Sequence, residues 1–156
     1  MAELTVGRVV PDFKLPASSG EEVAIRDFRG RNVVLYFYPK DNTPTCTQQS
    51  CAFRDTTDDF AASDTVIVGI STDDIASHQK FIAKHNLPFV LLADTEHKVC
   101  GKYGVWQLKK NYGREYMGIV RSTFLIDKKG KLVQEWRGVR LKGHIEAVLE
   151  AASELK

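Results

Sequence analysis

The apolar run over residues 33–38 constrains the fold of this chain more than any other segment, because every position is β-branched, aliphatic or aromatic. Such residues favour β-strands, and a strand that is apolar on both sides has to be covered on both faces. A second run of this kind spans residues 65–71. Between the two runs, Cys46, Phe53 and Phe60 recur every seven residues, which predicts a helix with one face turned inward.

The rest of the chain continues this alternation of strands and helices. After residue 71 we expect a helix over 74–86, a strand over 89–92, a helix over 95–103, a loop over 107–118, a hairpin of strands 122–126 and 131–136, and a helix from about 143. Ile75 and Ile82 should share the buried face of the first of these helices, and Asp94 should cap the second. The order favours a single α/β domain over residues 1–156, in which an irregular N-terminal extension precedes a mixed central sheet with helices on both faces.

Composition excludes several classes of protein. The content of 43% hydrophobic and 27% charged residues is that of an ordinary globular protein. The net charge is only +2 and the basic residues are scattered, so we expect no nucleic-acid partner. We also expect no membrane anchor, because no apolar run approaches the ~18 residues that a membrane helix needs.

The cysteine count and the first residues indicate a compartment. Residues 1–7 lack the basic and apolar regions of a secretory signal. Three cysteines leave at least one thiol free at least part of the time, which favours a reducing environment in which a disulfide is transient and catalytic. We therefore predict a cytoplasmic protein.

Cys46 is the first candidate for chemistry. It follows the first apolar strand and falls in the first turn of the predicted helix, where unpaired backbone N–H groups and the helix dipole favour negative charge. The thiolate is the reactive form of cysteine. Cys51 comes five residues later. This arrangement predicts redox chemistry at sulfur, at the carboxyl end of a central strand, where open α/β sheets place their sites.

The pattern Pro39-x-x-x-Thr43-x-x-Cys46 resembles the active-site signature of the peroxiredoxins. Cys51, followed by Phe53-Arg54-Asp55, is similar to the subfamily called bacterioferritin comigratory protein or peroxiredoxin Q. The resemblance extends over nearly the whole chain and also includes Gly7-x-x-x-Pro11-Asp12-Phe13-x-Leu15, Tyr36-Phe37-Tyr38-Pro39-Lys40-Asp41, Asp94, Gly104-Val105-Trp106 and Gly118-Ile119-x-Arg121-Ser122-Thr123-Phe124-Leu125-Ile126-Asp127. The predicted order of elements suits the thioredoxin-like fold of this family.

The resemblance implies a role for each residue of the signature. Cys46 would be the peroxidatic cysteine, with Thr43 and Arg121 as its peroxide-binding partners. Pro39 would screen the thiolate, and Cys51 would be the resolving cysteine. The resemblance also implies a peroxidase that reduces hydrogen peroxide and organic hydroperoxides, takes its electrons from thioredoxin or a similar dithiol protein, and uses no metal or organic cofactor.

Physical chemistry supports these assignments. Arg121 supplies a permanent charge and a planar fork of donors that can hold both sulfur and oxygen. The hydroxyl of Thr43 can accept a hydrogen bond from the peroxide while it donates one to the thiolate. The backbone N–H groups of Thr45 and Cys46 can complete the cradle for the developing negative charge.

As the resolving cysteine, Cys51 would form a disulfide with the oxidised Cys46, and this raises a geometric problem. In an intact α-helix, the Cα atoms of residues five apart are roughly 8.6 Å from each other. A disulfide requires Cα atoms within about 6.8 Å. We therefore predict that the first turns of the helix unwind after Cys46 is oxidised and re-form on reduction.

Several alternatives stay open from the sequence. Cys100 is expected to be a buried core thiol, although it could resolve in place of Cys51. His78, His85, His97 and His144 show no metal-ligand spacing and are predicted to lie at the surface or rim. The subfamily often has Gly and Glu where this chain has Thr45 and Gln49. A monomer is expected, because the chain has no long C-terminal extension with its own cysteine.

Three other functions compete with the peroxidase. A thiol–disulfide oxidoreductase usually carries Cys-x-x-Cys, whereas four residues separate Cys46 from Cys51. A cysteine hydrolase needs a histidine base, and none is placed by sequence, although spatial pairing is open. A redox-sensing or chaperone-like interaction module would respond to oxidation without turnover.

Overall fold

The computed structural model describes residues 4–155; residues 1–3 and 156 of the predicted single domain lie outside the described residues. The elements in chain order are β1 (Lys14–Pro16), β2 (Glu22–Ala24), a 3₁₀ helix (Ile25–Phe28), β3 (Asn32–Phe37), α1 (Pro44–Asp55), α2 (Thr57–Ala61), β4 (Thr65–Ser71), α3 (Ile75–His85), β5 (Val90–Ala93), α4 (Lys98–Lys102), β6 (Trp106–Asn111), β7 (Arg114–Ile119), β8 (Ser122–Ile126), β9 (Leu132–Arg137) and α5 (His144–Ser153).

A five-stranded mixed sheet forms the centre of the protein. Its strand order is β5-β4-β3-β8-β9, with β5, β4 and β3 parallel to one another and β8 and β9 antiparallel to their neighbours. β3, which contains most of the first apolar run, lies in the middle, and all of its residues are buried. The predicted mixed α/β sheet with β3 at its centre is confirmed.

Apolar side chains cover both faces of this sheet. On one face, Tyr36 belongs to a cluster that includes residues of α1, α2, α3 and α5. On the other face, Phe37 belongs to a cluster that includes residues of β1 and α4. Alternate residues of β3 thus serve opposite faces, as the pleat of a strand requires. None of the helices in residues 4–155 is long and apolar enough to cross a membrane.

The segment predicted as a loop, residues 107–118, is instead most of an antiparallel hairpin of β6 and β7. Tyr112 and Gly113 form its two-residue turn with φ of 53° and 76°, and a type I′ turn needs positive φ at both positions. The prediction was wrong because most side chains of the hairpin are exposed, so no buried face imposes an alternation of apolar and polar residues.

Two predicted helices have different bounds in the structure. The helix expected from Cys46 to about residue 60 is two helices, α1 and α2, separated at Thr56. The helix expected over 95–103 is the shorter α4, which begins after His97 rather than after Asp94. The carboxylate of Asp94 still accepts a helix N–H, that of Cys100, at 2.8 Å.

The central sheet leaves no room for a larger side chain at residue 69. Gly69 of β4 pairs with Tyr36, and a Cβ atom at residue 69 would lie 2.7 Å from the side chain of Leu91 and 2.9 Å from the ring of Tyr36. Gly69→Ala should therefore lower the free energy of unfolding by about 1–3 kcal/mol, the usual range for overpacking. Urea denaturation measures this change.

Gly101→Ala is the matched control for that measurement. A Cβ at residue 101 meets nothing within 4 Å, and alanine favours the helix in which Gly101 lies. The control should be as stable as the wild type or more stable. Equal stability of both variants would contradict the packing explanation.

Candidate active site

Cys46 is the third residue of α1, and its helix begins just beyond the carboxyl end of β3. Thr43 is the N-cap residue and Pro44 opens the helix. The first helical N–H with an intrahelical acceptor is that of Thr47, which donates to the carbonyl of Thr43 at 2.8 Å. The N–H groups of Thr45 and Cys46 have no acceptor in the part of the chain that the structure describes. The first turn of α1 therefore carries free donors beside the sulfur.

Arg121 makes the defining contact of the site. Its Nη2 donates to the Sγ of Cys46 at 3.1 Å, although the two residues are 75 positions apart in sequence. Cys46 is only 1% exposed. A backbone hydrogen bond of 3.0 Å from the N–H of Val139 to the carbonyl of Arg121 helps to hold the arginine in place. The guanidinium thus gives the buried sulfur a charged donor, and the first turn of the same helix carries free N–H groups.

Gln49 orients the second arm of the arginine. Its Oε1 accepts a hydrogen bond from Nη1 of Arg121, one helical turn after Cys46. An amide oxygen directs the guanidinium without neutralising it, whereas a glutamate would add a negative charge. Within residues 4–155, Arg121 forms no salt bridge with a carboxylate. The positive charge therefore stays available to the sulfur and to an oxygen bound beside it.

The structure changes one expected contact of Thr43. Its hydroxyl donates to the carbonyl of Lys40 at 2.9 Å, so the proton that we expected to reach the sulfur is used by the backbone. A hydroxyl oxygen keeps its lone pairs when it donates, and the side chain can still accept a hydrogen bond from a peroxide. Pro39 is half-buried at the start of the same loop.

The other two cysteines lie in different surroundings. Cys51 is half-buried on α1, which is continuous from Cys46 through Cys51, and all three cysteines are free thiols. Cys100 is fully buried in the cluster on the opposite face of the sheet from Cys46. Burial, followed by its contact with Asp94, raises the pKa of the Cys100 thiol well above its usual range. Cys100 is therefore a core thiol that the sheet separates from Cys46.

A buried polar network holds the loop between β3 and α1. The carboxylate of Asp41 accepts hydrogen bonds from the hydroxyls of Tyr38 at 2.6 Å and Ser77 at 2.8 Å, and it lies 2.8 Å from Nδ1 of His78. The backbone N–H of Asp41 donates to Asp73 at 2.7 Å. Burial alone would raise the pKa of Asp41, but the hydrogen bonds from His78 and Tyr38 outweigh it and lower that pKa. The network ties the loop to β4 and α3.

The predicted surface position of the four histidines was wrong for two of them. His78 is fully buried, and its Nε2 donates to the carbonyl of Leu92 at 2.9 Å, so α3 buries His78 and Phe81 more deeply than the expected Ile75 and Ile82. His78, Asp41 and Asp73 bring potential metal ligands within 4.8 Å of one another. The hydrogen bonds named above already use the ring nitrogens of His78 and both oxygens of Asp41, so the group is a structural network.

His144 is the second buried histidine and borders the site. Its Nε2 lies 2.9 Å from the hydroxyl of Thr123. Burial, followed by the positive charge of Arg121, lowers the pKa of His144 to about 4. The ring is therefore neutral near pH 7. Sequence reasoning missed His78, His144 and Asp41 as contributors, because only the tertiary structure brings their partners together.

Comparisons with known proteins identify the family of this chain. A family model described as the AhpC/TSA family matches residues 6–135. Peroxiredoxin Bcp of Bacillus subtilis (strain 168) is 51% identical over 152 residues, which cover 97% of either chain. Peroxiredoxin Bcp of Escherichia coli (strain K12) is 41% identical over 149 residues, or 96% of either chain.

Solved structures show the same similarity. Peroxiredoxin Q of Xanthomonas campestris superposes with a TM-score of 0.85 at 38% identity, covering 90% of this chain and 89% of that one. The bacterioferritin comigratory protein of the same organism, solved in work on its alkyl peroxide reduction activity, gives 0.88 at 36% identity, covering 95% and 97%. These neighbours confirm the predicted thioredoxin-like fold.

Acid should destabilise the protein through His144. Its pKa is about 4 in the folded chain against 6.5 for an ordinary histidine, so the fold favours the neutral ring. That contribution is complete above pH 6.5 and is lost as the pH falls toward 4. At about 1.4 kcal/mol per pKa unit, the loss is at most about 3.5 kcal/mol. Urea denaturation gives the free energy of unfolding of the wild type and of His144→Phe between about pH 7 and pH 4. The difference between the two curves is the contribution of His144.

The variant His144→Phe should show a shallower loss of stability in acid than the wild type. His97→Asn is the matched control, because His97 is exposed and asparagine tolerates its left-handed backbone conformation. The control should keep the full acid dependence. Parallel curves for wild type and His144→Phe would refute the role of His144.

Proposed function

Because the chain belongs to the AhpC/TSA family, among its Bcp or peroxiredoxin Q members, we propose that Cys46 is the peroxidatic cysteine of its thiol peroxidase activity. The protein reduces hydroperoxides with electrons from a thiol reductant. The observation that carries the assignment of Cys46 is the contact between its buried sulfur and the guanidinium of Arg121.

In the proposed first step, the thiolate of Cys46 attacks the terminal oxygen of the hydroperoxide. A sulfur–oxygen bond forms, the oxygen–oxygen bond breaks, and the departing oxygen takes the bonding electron pair. Arg121 and the N–H groups of Thr45 and Cys46 stabilise the charge that builds on the oxygens. Thr43 accepts a hydrogen bond from the substrate, and Pro39 screens the sulfur from water. The products are Cys46 sulfenic acid and, after protonation, water or an alcohol.

In the proposed second step, Cys51 resolves the sulfenic acid. Its thiolate attacks the sulfur of Cys46, a disulfide forms, and the sulfenic oxygen leaves as water after it takes up a proton. α1 is intact from Cys46 to Cys51 in the reduced protein, so the helix has to unwind before the two sulfurs can meet. Cys100 lies on the opposite face of the sheet from Cys46. This position supports Cys51, and not Cys100, as the partner of Cys46 in the disulfide.

In the proposed third step, a dithiol protein of the thioredoxin type reduces the disulfide by thiol–disulfide exchange. Its first thiolate attacks one sulfur of the disulfide, and its second thiol then releases the mixed disulfide. We infer that the enzyme works as a monomer, since both cysteines of the proposed cycle lie on one helix. The cytoplasm stays the predicted compartment.

Cys46→Ser should abolish peroxide consumption, because a serine hydroxyl cannot form the sulfenic acid. The assay follows peroxide loss with thioredoxin, its reductase and NADPH. Cys100→Ala is the matched control, since that thiol lies in the core, and it should keep its activity. Residual turnover by Cys46→Ser would refute the assignment. Disulfide reduction without peroxide consumption would favour the oxidoreductase alternative.

Oxidation should unwind the start of α1. Within the segment 45–54, the hydrogen-bonded amides from Thr47 onward should exchange slowly in the reduced protein and faster after one equivalent of peroxide, because the disulfide cannot form within an intact helix. Mass spectrometry of the same sample should identify a Cys46–Cys51 bond. Cys51→Ser is the control and should stop at the sulfenic acid with α1 still protected. Equal protection of residues 45–54 in both wild-type states would reject the unwinding.

A further inference from the structure

Cleavage of the peroxide leaves one proton to be supplied. The attack described above produces a hydroxide or alkoxide ion, and such an ion is a poor leaving group, since water and alcohols are very weak acids. A positioned acid that protonates the leaving oxygen as the bond breaks typically contributes ~10²–10⁴-fold in rate. Such an acid would have to lie near Cys46 and be able to release a proton.

Neither the residues of the site nor the polar residues that border it supply this proton. Arg121 cannot act as the acid, because arginine side chains do not release their proton in proteins. The hydroxyl proton of Thr43 is used by the carbonyl of Lys40. The hydroxyl of Tyr36 is fully buried against Ser50, and burial raises its pKa above the usual range. His144 is neutral near pH 7, because its pKa is lowered to about 4.

Lys109 extends from the hairpin of β6 and β7 to the backbone that precedes Arg121. It is half-buried on β6, opposite Tyr116 of β7. Its Nζ donates to the carbonyl of Ile119 at 2.9 Å, and Ile119 is two residues before Arg121. An ammonium group has three N–H donors, so two stay available after this hydrogen bond. The contact fixes a cationic acid close to the backbone that carries the arginine.

We propose that Lys109 is the general acid that protonates the leaving oxygen when the Cys46 thiolate cleaves the peroxide bond. This inference rests on the assignment of Cys46 proposed above. The sulfur–oxygen bond forms, the oxygen–oxygen bond breaks, and a proton passes from Nζ of Lys109 to the departing oxygen. The products are Cys46 sulfenic acid, water or an alcohol, and a neutral amine, which takes a proton from solvent before the next turnover.

The charges that face Lys109 favour this proton release. Burial, followed by the positive charge of Arg121, lowers the pKa of Lys109, while the charge of Cys46 acts in the opposite direction. The charge of Cys46 acts on Lys109 from α1 and that of Arg121 from the connection between β7 and β8, while Tyr116 of β7 is its partner across the hairpin. Once the thiolate has been converted to sulfenic acid its charge is gone, and only the effects that promote proton loss remain.

Two kinds of oxidant separate a general acid from a merely structural lysine. Hydrogen peroxide and alkyl hydroperoxides release a strongly basic oxygen that needs a proton. Peracetic acid releases acetate, the weakly basic anion of a carboxylic acid with a pKa roughly between 4 and 5, which leaves without a proton. A general acid therefore accelerates the first class and hardly affects the second. If the lysine were only structural, its substitution would displace Arg121 or Cys46 and slow the reaction with both kinds of oxidant.

The experiment measures sulfenic acid formation by stopped flow with hydrogen peroxide and with peracetic acid. Lys109→Met should slow the reaction with hydrogen peroxide by about 10²-fold, the lower end of general-acid contributions, and leave that with peracetic acid nearly unchanged. Lys109→Arg keeps a positive charge and N–H donors but cannot release a proton, so it should be as slow as Lys109→Met with hydrogen peroxide.

Lys110→Met is the matched control. Lys110 is the next residue on β6, points to the opposite face of the hairpin, and its exposed ammonium lies 3.6 Å from Glu115. This variant should react with both oxidants at the wild-type rate. If Lys110→Met slowed hydrogen peroxide selectively as well, the assignment to Lys109 would be overturned.

Two further results would overturn the proposal. One is an equal loss of rate with both oxidants in Lys109→Met, which would assign the lysine a structural role. The other is full recovery with hydrogen peroxide in Lys109→Arg, which would assign it a purely electrostatic role. Neither touches the proposed function, because that fails only if Cys46→Ser still consumes peroxide. Wild type should also lose rate with hydrogen peroxide at alkaline pH, while Lys109→Arg should show no such loss.

Discussion

The contact between the guanidinium of Arg121 and the sulfur of Cys46 is the interaction on which the rest of the site depends. A buried anion without a partner costs several kcal/mol, so a thiolate that is almost fully buried has to be paired. The partner comes from the antiparallel register of β3 and β8, in which Phe37 pairs with Ser122. Arg121 therefore lies just beyond the carboxyl end of β3, where α1 begins, and the site forms only when the central sheet is correctly assembled.

The proposed cycle requires the same region to be rigid when peroxide binds and mobile when Cys51 forms the disulfide, and two different segments can meet these demands. The loop before Cys46 is held by the buried carboxylate of Asp41, with its hydrogen bonds to Tyr38, Ser77 and His78. The part of α1 after Cys51 is held by Phe53, which is fully buried. The proposed unwinding is therefore expected to lie between these two anchors and to leave the sheet in place.

Much of the fold could be predicted from the sequence, because apolar runs such as residues 33–38 allow few other placements. The signature Pro39-x-x-x-Thr43-x-x-Cys46 also predicted a site around Cys46. Arg121, the expected partner, donates a hydrogen bond to the sulfur of Cys46. The hairpin of β6 and β7 was missed because its exposed faces carry no apolar period. The pairing of Asp41 with His78 was missed because it joins residues 37 positions apart, which no local pattern encodes.

The alignment of donors matters more for this chemistry than the fraction of thiolate. An ordinary cysteine is already partly ionised near neutral pH, so complete ionisation raises the rate only about 14-fold at pH 7.4. A single well-placed donor to developing charge is worth about 10²–10³ in rate. Gln49 is consistent with this ordering, because its amide oxygen aligns Arg121 while leaving the guanidinium fully charged. Compared with the glutamate that the resemblance leads us to expect, Gln49 thus keeps the hydrogen bond to Arg121 and adds no negative charge that would compete with the oxygens of the proposed reaction.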